Sequence, residues 1–306
     1  MAPERDAPAV KLLAMDPAAS TIGTVSRHVE AELAKAGVSD STEQAREIVG
    51  ALLDVGRHWP ALHADEPADA MLLARALQAA QRLGLGMPFQ YAVGCASFRG
   101  LTLEVDARVL IPRPETEMLV EIVLDETRGE TGGTAMDIGT GAGAIALALA
   151  QEGRFERVIA TDVSLDAIAV ARYNAELLAP RLAATVEFRH GSLLLPVADV
   201  RARAIVSNPP YIAFEEAEAL PVSVRAWEPP LALLSAENGL AITRGLIRGA
   251  AARLERGGLL ALEVDTRRAA LVAEIVSANA AFKDVSVRLD LAGRERFVIA
   301  RRRETT

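Results

Sequence analysis

The chain has 306 residues, a formal net charge of −8 and a sequence pI near 5.2. This length suffices for one large domain and a small one, and the acidic balance disfavours a protein whose main surface binds nucleic acid. Cys95 is the only cysteine, which excludes an internal disulfide and favours a reducing, cytoplasmic compartment.

The N-terminal twenty residues carry several charges and no apolar segment, which argues against an ordinary signal peptide. We expect residues 1–20 to be flexible. No uncharged apolar stretch in the chain is long enough to span a bilayer, so we expect no membrane contact. The four histidines are scattered and lack the spacing of metal ligands, so we expect no metal site.

Up to about Gly84, apolar residues recur at the spacing of helices. Ser41 and Gln44 form a capping-box pattern at the start of a second helix, and Pro67 suits the start of a third that ends at Gly84. The apolar residues of the first and third helices are Ile22, Val25, Val29 and Leu33, and Met71, Leu72, Leu77 and Leu83, respectively. We therefore predict a helical domain over residues 1–85.

Two short strand-like runs follow, around Phe98 and over residues 101–105, and they predict a hairpin linker within residues 86–110. The next segment contains Pro112, Arg113, Pro114, Glu115 and Thr116. Its prolines prevent a helix before Glu115, and acidic residues then suit the first turn of a helix. By itself, this pattern is also explained by a rigid loop with an acidic helix cap.

From Thr134 to the C-terminus, strand-like and helix-like runs alternate. Strands are predicted over residues 135–138, 158–162, 185–189, 204–207, 259–264, 285–289 and 296–300, with helices notably over 166–178 and 240–256. The last two strands, joined at Ala292-Gly293, are typical of an antiparallel pair. Residues 111–306 are therefore predicted to form an α/β domain with a seven-stranded Rossmann-like sheet, parallel except for a hairpin at one edge.

A glycine-rich loop follows the first of these strands. It contains the residues expected to bind a cofactor: Asp137, Gly139, Thr140, Gly141, Ala142 and Gly143. Glycines allow a ligand to approach the backbone, and the following helix presents free N–H groups. The spacing is G-x-G-x-G, which differs from the dinucleotide pattern. Asp162, at the end of the next strand, is the candidate for binding ribose hydroxyls.

A second motif, Asn208-Pro209-Pro210-Tyr211, follows the fourth strand of this region. Such a loop suits transfer of a methyl group to a planar nitrogen, whose lone pair is delocalised and must be held towards the methyl carbon. The side chain of Asn208 and the backbone carbonyl of Pro209 are candidate acceptors for the two N–H bonds. The prolines stiffen the loop, and Tyr211 offers a flat face. A rigid turn after a strand is the simpler alternative.

The order of these motifs resembles the protein-(glutamine-N5) methyltransferases that modify peptide chain release factors. The resemblance extends from about Gly86 to Arg302 and includes the Pro112–Glu117 string, the glycine loop and the Asn208–Tyr211 loop. It also includes Glu228-Pro229, Asn238-Gly239-Leu240 and the hairpin around Gly293.

The resemblance implies a class I methyltransferase fold and S-adenosyl-L-methionine as cofactor. It implies that the substrate is the glutamine of a Gly-Gly-Gln loop in release factors and that residues 1–85 recognise this partner. Asn208, Pro209, Pro210 and Tyr211 would be the catalytic loop, and Asn208 would also contact the cofactor. That loop would bind the substrate together with Pro112, Arg113 and Glu115.

Two places depart from the family pattern. After Gly191, at the end of the third strand, the family usually has an aspartate near the adenine, whereas this chain has Ser192 and Leu193, which we expect to contact the cofactor. Near the C-terminus, Asp265 and Arg268 stand where the family more often has a glycine and a glutamine. These departures leave details of cofactor contact open.

Other substrates remain alternatives. An adenine amine in DNA or RNA has the same geometry once the base is flipped out, and another protein or a small-molecule amide is also possible. Residues 1–110 contain ten Lys and Arg against fourteen Asp and Glu. A duplex-binding module should be basic, so we expect no direct nucleic-acid binding. The intact Asn208–Tyr211 loop argues against a non-catalytic binding module.

Overall fold

A computed structural model describes residues 20–304. The expected flexibility of the N-terminal segment therefore concerns residues that lie, apart from Ser20, outside the described part. The chain divides into two compact units, and the boundary lies between Cys95 and Ala96.

The first unit is helical. Its helices are α1 (Ile22–Lys35), α2 (Ser41–Leu52), α3 (Trp59–Leu62), α4 (Ala70–Gly84) and α5 (Phe89–Val93). The four apolar residues predicted for α1 are all buried, and they form one core with residues of α2 and α4, including Ile48, Val49, Ala76 and Ala80. The helical spacing of this region therefore predicted the core of α1 correctly.

Two local expectations in this unit were wrong. The N-cap of α2 is Asp40, in a left-handed conformation with φ of 55°, and it makes no side-chain cap bond, so the Ser41 capping box does not form. Helix α4 begins at Ala70, because Asp69 accepts a hydrogen bond from the Leu72 N–H and caps the helix there. Met71 follows directly and is 69% exposed.

A hairpin of β1 (Cys95–Phe98) and β2 (Leu101–Glu104) follows, and all of its residues except Cys95 belong to the second unit. Arg99 and Gly100 form its turn, with φ of 46° and 70°. The Arg99 guanidinium donates to the carboxylates of Glu121 and Glu152 and to the Glu117 carbonyl oxygen. This fan of hydrogen bonds fixes the hairpin turn to the helices that carry these acceptors.

A seven-stranded sheet forms the centre of the second unit, in the order β10-β11-β9-β6-β3-β4-β5. The strands are β3 (Thr134–Ile138), β4 (Arg157–Asp162), β5 (Thr185–His190), β6 (Ala202–Ser207), β9 (Leu254–Glu263), β10 (Phe282–Leu289) and β11 (Glu295–Arg302). Strands β5, β4, β3, β6 and β9 are mutually parallel, whereas β11 runs antiparallel to both β9 and β10. The predicted sheet with a hairpin at one edge is confirmed.

The connections between the strands are mostly helical. The helices are α6 (Pro114–Glu126), α7 (Ala144–Glu152), α8 (Leu165–Leu178), α9 (Val222–Trp227), α10 (Pro230–Leu233), α12 (Ala241–Arg253) and α13 (Ala269–Ser277), together with the single turn α11 (Ala236–Gly239). A two-residue pair, β7 (Ile212–Ala213) and β8 (Leu234–Ser235), lies outside the main sheet.

The central strands are mostly apolar because helices cover both faces of a parallel sheet. All residues of β3 and β6 are buried. Because β3, β4 and β6 are parallel, their carboxyl ends lie at the same edge of the sheet. The glycine loop, Asp162 and the Asn208–Tyr211 loop all follow strand ends at this edge. Within residues 20–304, no helix is both long and apolar enough to cross a membrane.

Candidate functional site

The glycine loop turns sharply between β3 and α7. Gly139, Gly141 and Gly143 all have positive φ, at 79°, 54° and 88°, a region that side chains with a Cβ rarely occupy. The amides of Gly139 and Thr140 both donate to the Thr161 carbonyl oxygen, at 2.8 and 2.9 Å. A Cβ added at Gly139 or Gly141 would meet no protein atom within 4 Å. The loop therefore presents bare backbone to open space.

Asp162 lies at the end of β4, next to this loop. Its Oδ2 accepts from the Gly141 amide and its Oδ1 from the Ser164 amide, both at 2.9 Å. These two bonds fix the plane of the carboxylate. Each oxygen retains a second lone pair, so the side chain can also accept hydrogen bonds from a ligand.

Asp137 lies underneath the loop, with its side chain fully buried. Its Oδ2 accepts from the Thr140 hydroxyl at 2.7 Å and from the Ala146 amide at 3.1 Å. Its Oδ1 has no hydrogen-bond partner among the described residues. Burial raises the pKa of this carboxyl to about 7. In this geometry Asp137 connects the loop to the first turn of α7.

A buried amide connects the loop to the hairpin. Asn174, on α8, donates from Nδ2 to the Ala142 and Glu104 carbonyl oxygens, at 2.9 and 3.0 Å. Its Oδ1 accepts from the Glu104 amide at 2.8 Å. One side chain therefore binds the backbone of two segments that are distant in sequence.

The Asn208–Tyr211 loop leaves β6 at the same edge of the sheet. Asn208 donates from Nδ2 to the Thr116 hydroxyl at 3.1 Å, and that hydroxyl donates to Glu263 Oε2 at 2.7 Å. Thr116 and Glu263 are 4% and 1% exposed. Burial raises the pKa of Glu263 to about 7. The catalytic candidate Asn208 is thus the outer end of a chain of three polar side chains.

The backbone after Asn208 is held by a close contact and an ion cluster. A Cβ added at Gly239 would lie only 2.2 Å from the Tyr211 carbonyl oxygen. Buried Arg268 donates to the Asn238 carbonyl oxygen at 2.7 Å and to Glu216 at 2.8 Å, and it lies 3.4 Å from Asp265. Burial raises the pKa of Tyr211 to about 12, so its phenol stays protonated.

The proline-containing segment before α6 contacts the loop that carries Glu228. Arg113 forms an ion pair with Glu228 at 2.5 Å, and Glu228 is 3% exposed. The second oxygen of Glu228 accepts from the Ile111 amide at 3.4 Å. Glu115 is half-buried in the first turn of α6, and Pro112 is half-buried before it.

A cavity of about 280 Å³ joins these elements. Among the predicted site residues, those that line it are Gly139, Gly141, Asp162, Ser192, Leu193, Asn208, Pro209 and Pro210. The other predicted residues lie outside its lining: Asp137, Thr140, Ala142, Gly143, Tyr211, Pro112, Arg113 and Glu115. One concave surface therefore holds the glycine loop, the acid of β4 and the Asn-Pro-Pro segment.

Comparisons with known proteins identify the family. Two family models match, the methyltransferase small domain over residues 114–224 and the PrmC N-terminal domain over residues 24–94. The release factor glutamine methyltransferases of Moorella thermoacetica and Deinococcus radiodurans are each 39% identical to the chain. Each match covers 89% of this chain and 95% of the relative. The chain belongs to the release factor glutamine methyltransferase family.

Solved structures confirm the class I methyltransferase fold predicted for this family member. A methyltransferase from Pyrococcus furiosus has a TM-score of 0.51 at 19% identity, covering 68% of this chain and 91% of that chain. The hMettl16 catalytic domain in complex with MAT2A 3'UTR hairpin 6 has a TM-score of 0.52 at 17% identity, covering 78% and 83%. At such low identity, these likenesses concern the fold alone.

The two departures from the family pattern occupy different places. Ser192 and Leu193 line the cavity, and Leu193 has a positive φ of 52°. Asp265 and Arg268 are outside the cavity lining and belong to the ion cluster that holds the backbone after Tyr211. This second departure therefore concerns the support of the Asn-Pro-Pro-Tyr loop.

Three polar residues of this release factor glutamine methyltransferase have roles that the sequence pattern does not predict. Thr116 and Glu263 are buried partners of Asn208, and Asn174 supports the glycine loop. One signal was available for Glu263, which is a charged residue at the end of an apolar strand run. Asn174 sits within an ordinary helical segment and carried no comparable signal.

Proposed function

We propose that this protein transfers a methyl group from S-adenosyl-L-methionine to the side-chain amide nitrogen of the glutamine in the Gly-Gly-Gln motif of peptide chain release factors. The names of its relatives support this class of substrate. The observation that carries the chemistry is that Asn208, Pro209 and Pro210 line the same cavity as the glycine loop and Asp162.

The residues around the cavity fit this cofactor. Gly139 and Gly141 leave open space above their backbone, and Asp162 offers spare lone pairs for ribose hydroxyls. Ser192 and Leu193 line the same cavity and would contact the adenine. Asp137, Thr140, Ala142 and Gly143 would act through the loop backbone they support. When bound, the cofactor supplies a methyl carbon on a positively charged sulfur, which is a strong electrophile.

The protein's part in the reaction is to position the amide. Asn208 already donates its Nδ2 to Thr116, which leaves Oδ1 to accept one substrate N–H. The Pro209 carbonyl oxygen would accept the other, and the lone pair then faces the methyl carbon. Tyr211 would provide a flat surface for the amide plane. Because its pKa is about 12, Tyr211 does not act as a base near neutral pH.

The acidic helical region fits a protein partner. Residues 1–85 would recognise the body of the release factor, with residues 86–110 as the linker and Pro112, Arg113 and Glu115 near the incoming loop. An excess of acidic residues in this region favours a partner with basic patches and disfavours bare nucleic acid or an anionic membrane surface. A substrate used in translation supports a cytoplasmic location for the activity.

Mass spectrometry of a release factor incubated with the enzyme and S-adenosyl-L-methionine tests this proposal. We expect a single added methyl group on the Gly-Gly-Gln glutamine. The matched control is a release factor in which that glutamine is replaced by alanine, which should remain unmodified. Methyl incorporation into DNA or RNA, with the release factor unchanged, would instead support the adenine alternative.

A further inference from the structure

We infer that Glu263 is a positioning residue that acts through Thr116 to determine which end of the Asn208 amide faces the substrate. This inference rests on the proposed function, because it assigns a role to residues behind the Asn-Pro-Pro-Tyr loop. It concerns a buried carboxyl group that touches neither the cavity nor the reacting atoms.

The three side chains form one continuous chain of hydrogen bonds. Glu263 Oε2 and the Thr116 hydroxyl are 2.7 Å apart, and this hydroxyl is 3.1 Å from Asn208 Nδ2. They come from the end of β9, the first turn of α6 and the end of β6. Since Glu263 and Thr116 are buried, water does not compete for their hydrogen bonds, and the direction of each bond is set by the neighbouring group.

An amide and a hydroxyl alone would not define this direction. A hydroxyl both donates and accepts, so Thr116 could bind either end of the Asn208 amide. An ionised carboxylate only accepts, so Thr116 must donate its proton to Glu263. The threonine oxygen is then left as an acceptor, which selects Asn208 Nδ2. The acceptor Oδ1 of Asn208 consequently remains for the substrate.

The charges around Glu263 come from several elements. Arg296 on β11 and Arg113 before α6 favour its ionised form, whereas Glu115 in α6 opposes it. Tyr211 also interacts with this carboxyl, but its phenol stays neutral. With burial as the largest influence, the pKa of Glu263 is about 7. A protonated Glu263 can donate to Thr116, which then can donate to Asn208 Oδ1. The direction of both hydrogen bonds is then reversed.

The geometry therefore predicts how the transfer rate depends on pH. Single-turnover rates at saturating S-adenosyl-L-methionine should rise as pH increases through about 7 and then level off. Glu263→Gln should lower the rate at pH 8 by about tenfold and remove this rise, because a glutamine cannot impose one direction. Asp137 also has a pKa of about 7, but its titration should remain in the Glu263→Gln variant and affect cofactor affinity.

Thr116 variants separate this role from ordinary packing. Thr116→Val keeps the shape but removes the hydroxyl and should lower the rate at least tenfold, with cofactor affinity changed less than twofold. Thr116→Ser restores the hydroxyl and should recover most of the rate. The matched control is Thr127→Val at the C-terminal end of α6. Thr127 is equally buried, and its hydroxyl donates to the Val123 carbonyl oxygen. This control should change the rate less than twofold.

A measurement without any substrate keeps the inference separate from the proposed function. The side-chain amide NMR signals of Asn208, assigned by their loss in Asn208→Asp, should shift with pH near 7. This shift should vanish in Glu263→Gln and in Thr116→Val. An unshifted Asn208 amide, or a Thr116→Val rate within twofold of wild type, would overturn the inference. A coupled Asn208 amide without methylation of the release factor would overturn the proposed function alone.

Discussion

Replacing Asp162 by alanine should weaken the binding of S-adenosyl-L-methionine. The carboxylate is held in place by the Gly141 and Ser164 amides, each at 2.9 Å, and it lines the cavity. Its removal would take away the proposed acceptor of the ribose hydroxyls. It would also leave the Gly141 amide without its partner, which loosens the glycine loop at the point where the ligand approaches.

The expected size follows from the kind of bond that is lost. A hydrogen bond to a charged group contributes about 1.5–3 kcal/mol, and about 1.4 kcal/mol corresponds to a tenfold change in affinity. Asp162→Ala should therefore raise the dissociation constant by roughly tenfold to 150-fold. Asp162→Asn keeps one acceptor oxygen but adds a donor facing an amide. Its dissociation constant should therefore lie between those of wild type and Asp162→Ala.

Isothermal titration calorimetry with the cofactor product, S-adenosylhomocysteine, and with the cofactor itself would measure these constants. Asp166→Ala is the matched control, because Asp166 is an exposed aspartate four residues away, in the first turn of α8. Its affinity should stay within about twofold of wild type. An unchanged affinity in Asp162→Ala would refute the role given to this carboxylate.

Three further predictions concern the loops and their supports. Asn208→Ala should lower the single-turnover methylation rate by two or more orders of magnitude, consistent with about 3 kcal/mol for an oriented contact. Calorimetry should show little change in its cofactor affinity. A methylation rate near wild type would mean that the loop has a purely structural role. Gly239→Ala should lower the melting temperature and the methylation rate together, because its Cβ would lie 2.2 Å from the Tyr211 carbonyl oxygen; unchanged values would show that the backbone there is free to move. Asp137 has a folded pKa raised to about 7, so its burial costs stability as pH rises from about 4 through 7. Between pH 5 and pH 8, the melting temperature should therefore fall less in Asp137→Asn than in wild type. Equal falls in the two proteins would contradict the raised pKa of Asp137.

The sheet and the main loops were predictable because their signals are local. Apolar runs such as those of β3 and β6 mark strands buried on both faces. The glycine loop and the Asn208–Tyr211 loop have fixed spacings, and each follows a strand directly. Parallel strands then bring their carboxyl ends together, so the position of the cavity follows from the order of the elements.

The supports behind these loops were not predictable for the opposite reason. Thr116 and Glu263 are 147 positions apart, and only the pairing of β6 with β9 brings the strand of Glu263 beside Asn208. In the first unit, the predictions of how α2 and α4 begin were wrong for a more local reason. The left-handed backbone of Asp40 precedes α2, and the side chain of Asp69 caps α4. The spacing of apolar residues does not predict either feature.

The hydrogen bonds of Asn174 determine which sequence changes the β1–β2 hairpin can tolerate. Its hydrogen bonds to Glu104 involve the backbone of that residue, and the Glu104 side chain is exposed. Substitutions at position 104 should therefore leave the glycine loop undisturbed. Insertion or deletion of one residue in the Arg99-Gly100 turn would instead shift the register of β2, turn every side chain of that strand to its other face and remove the Glu104 backbone from Asn174. Position 104 is free to vary in residue type, whereas the length of the hairpin is not.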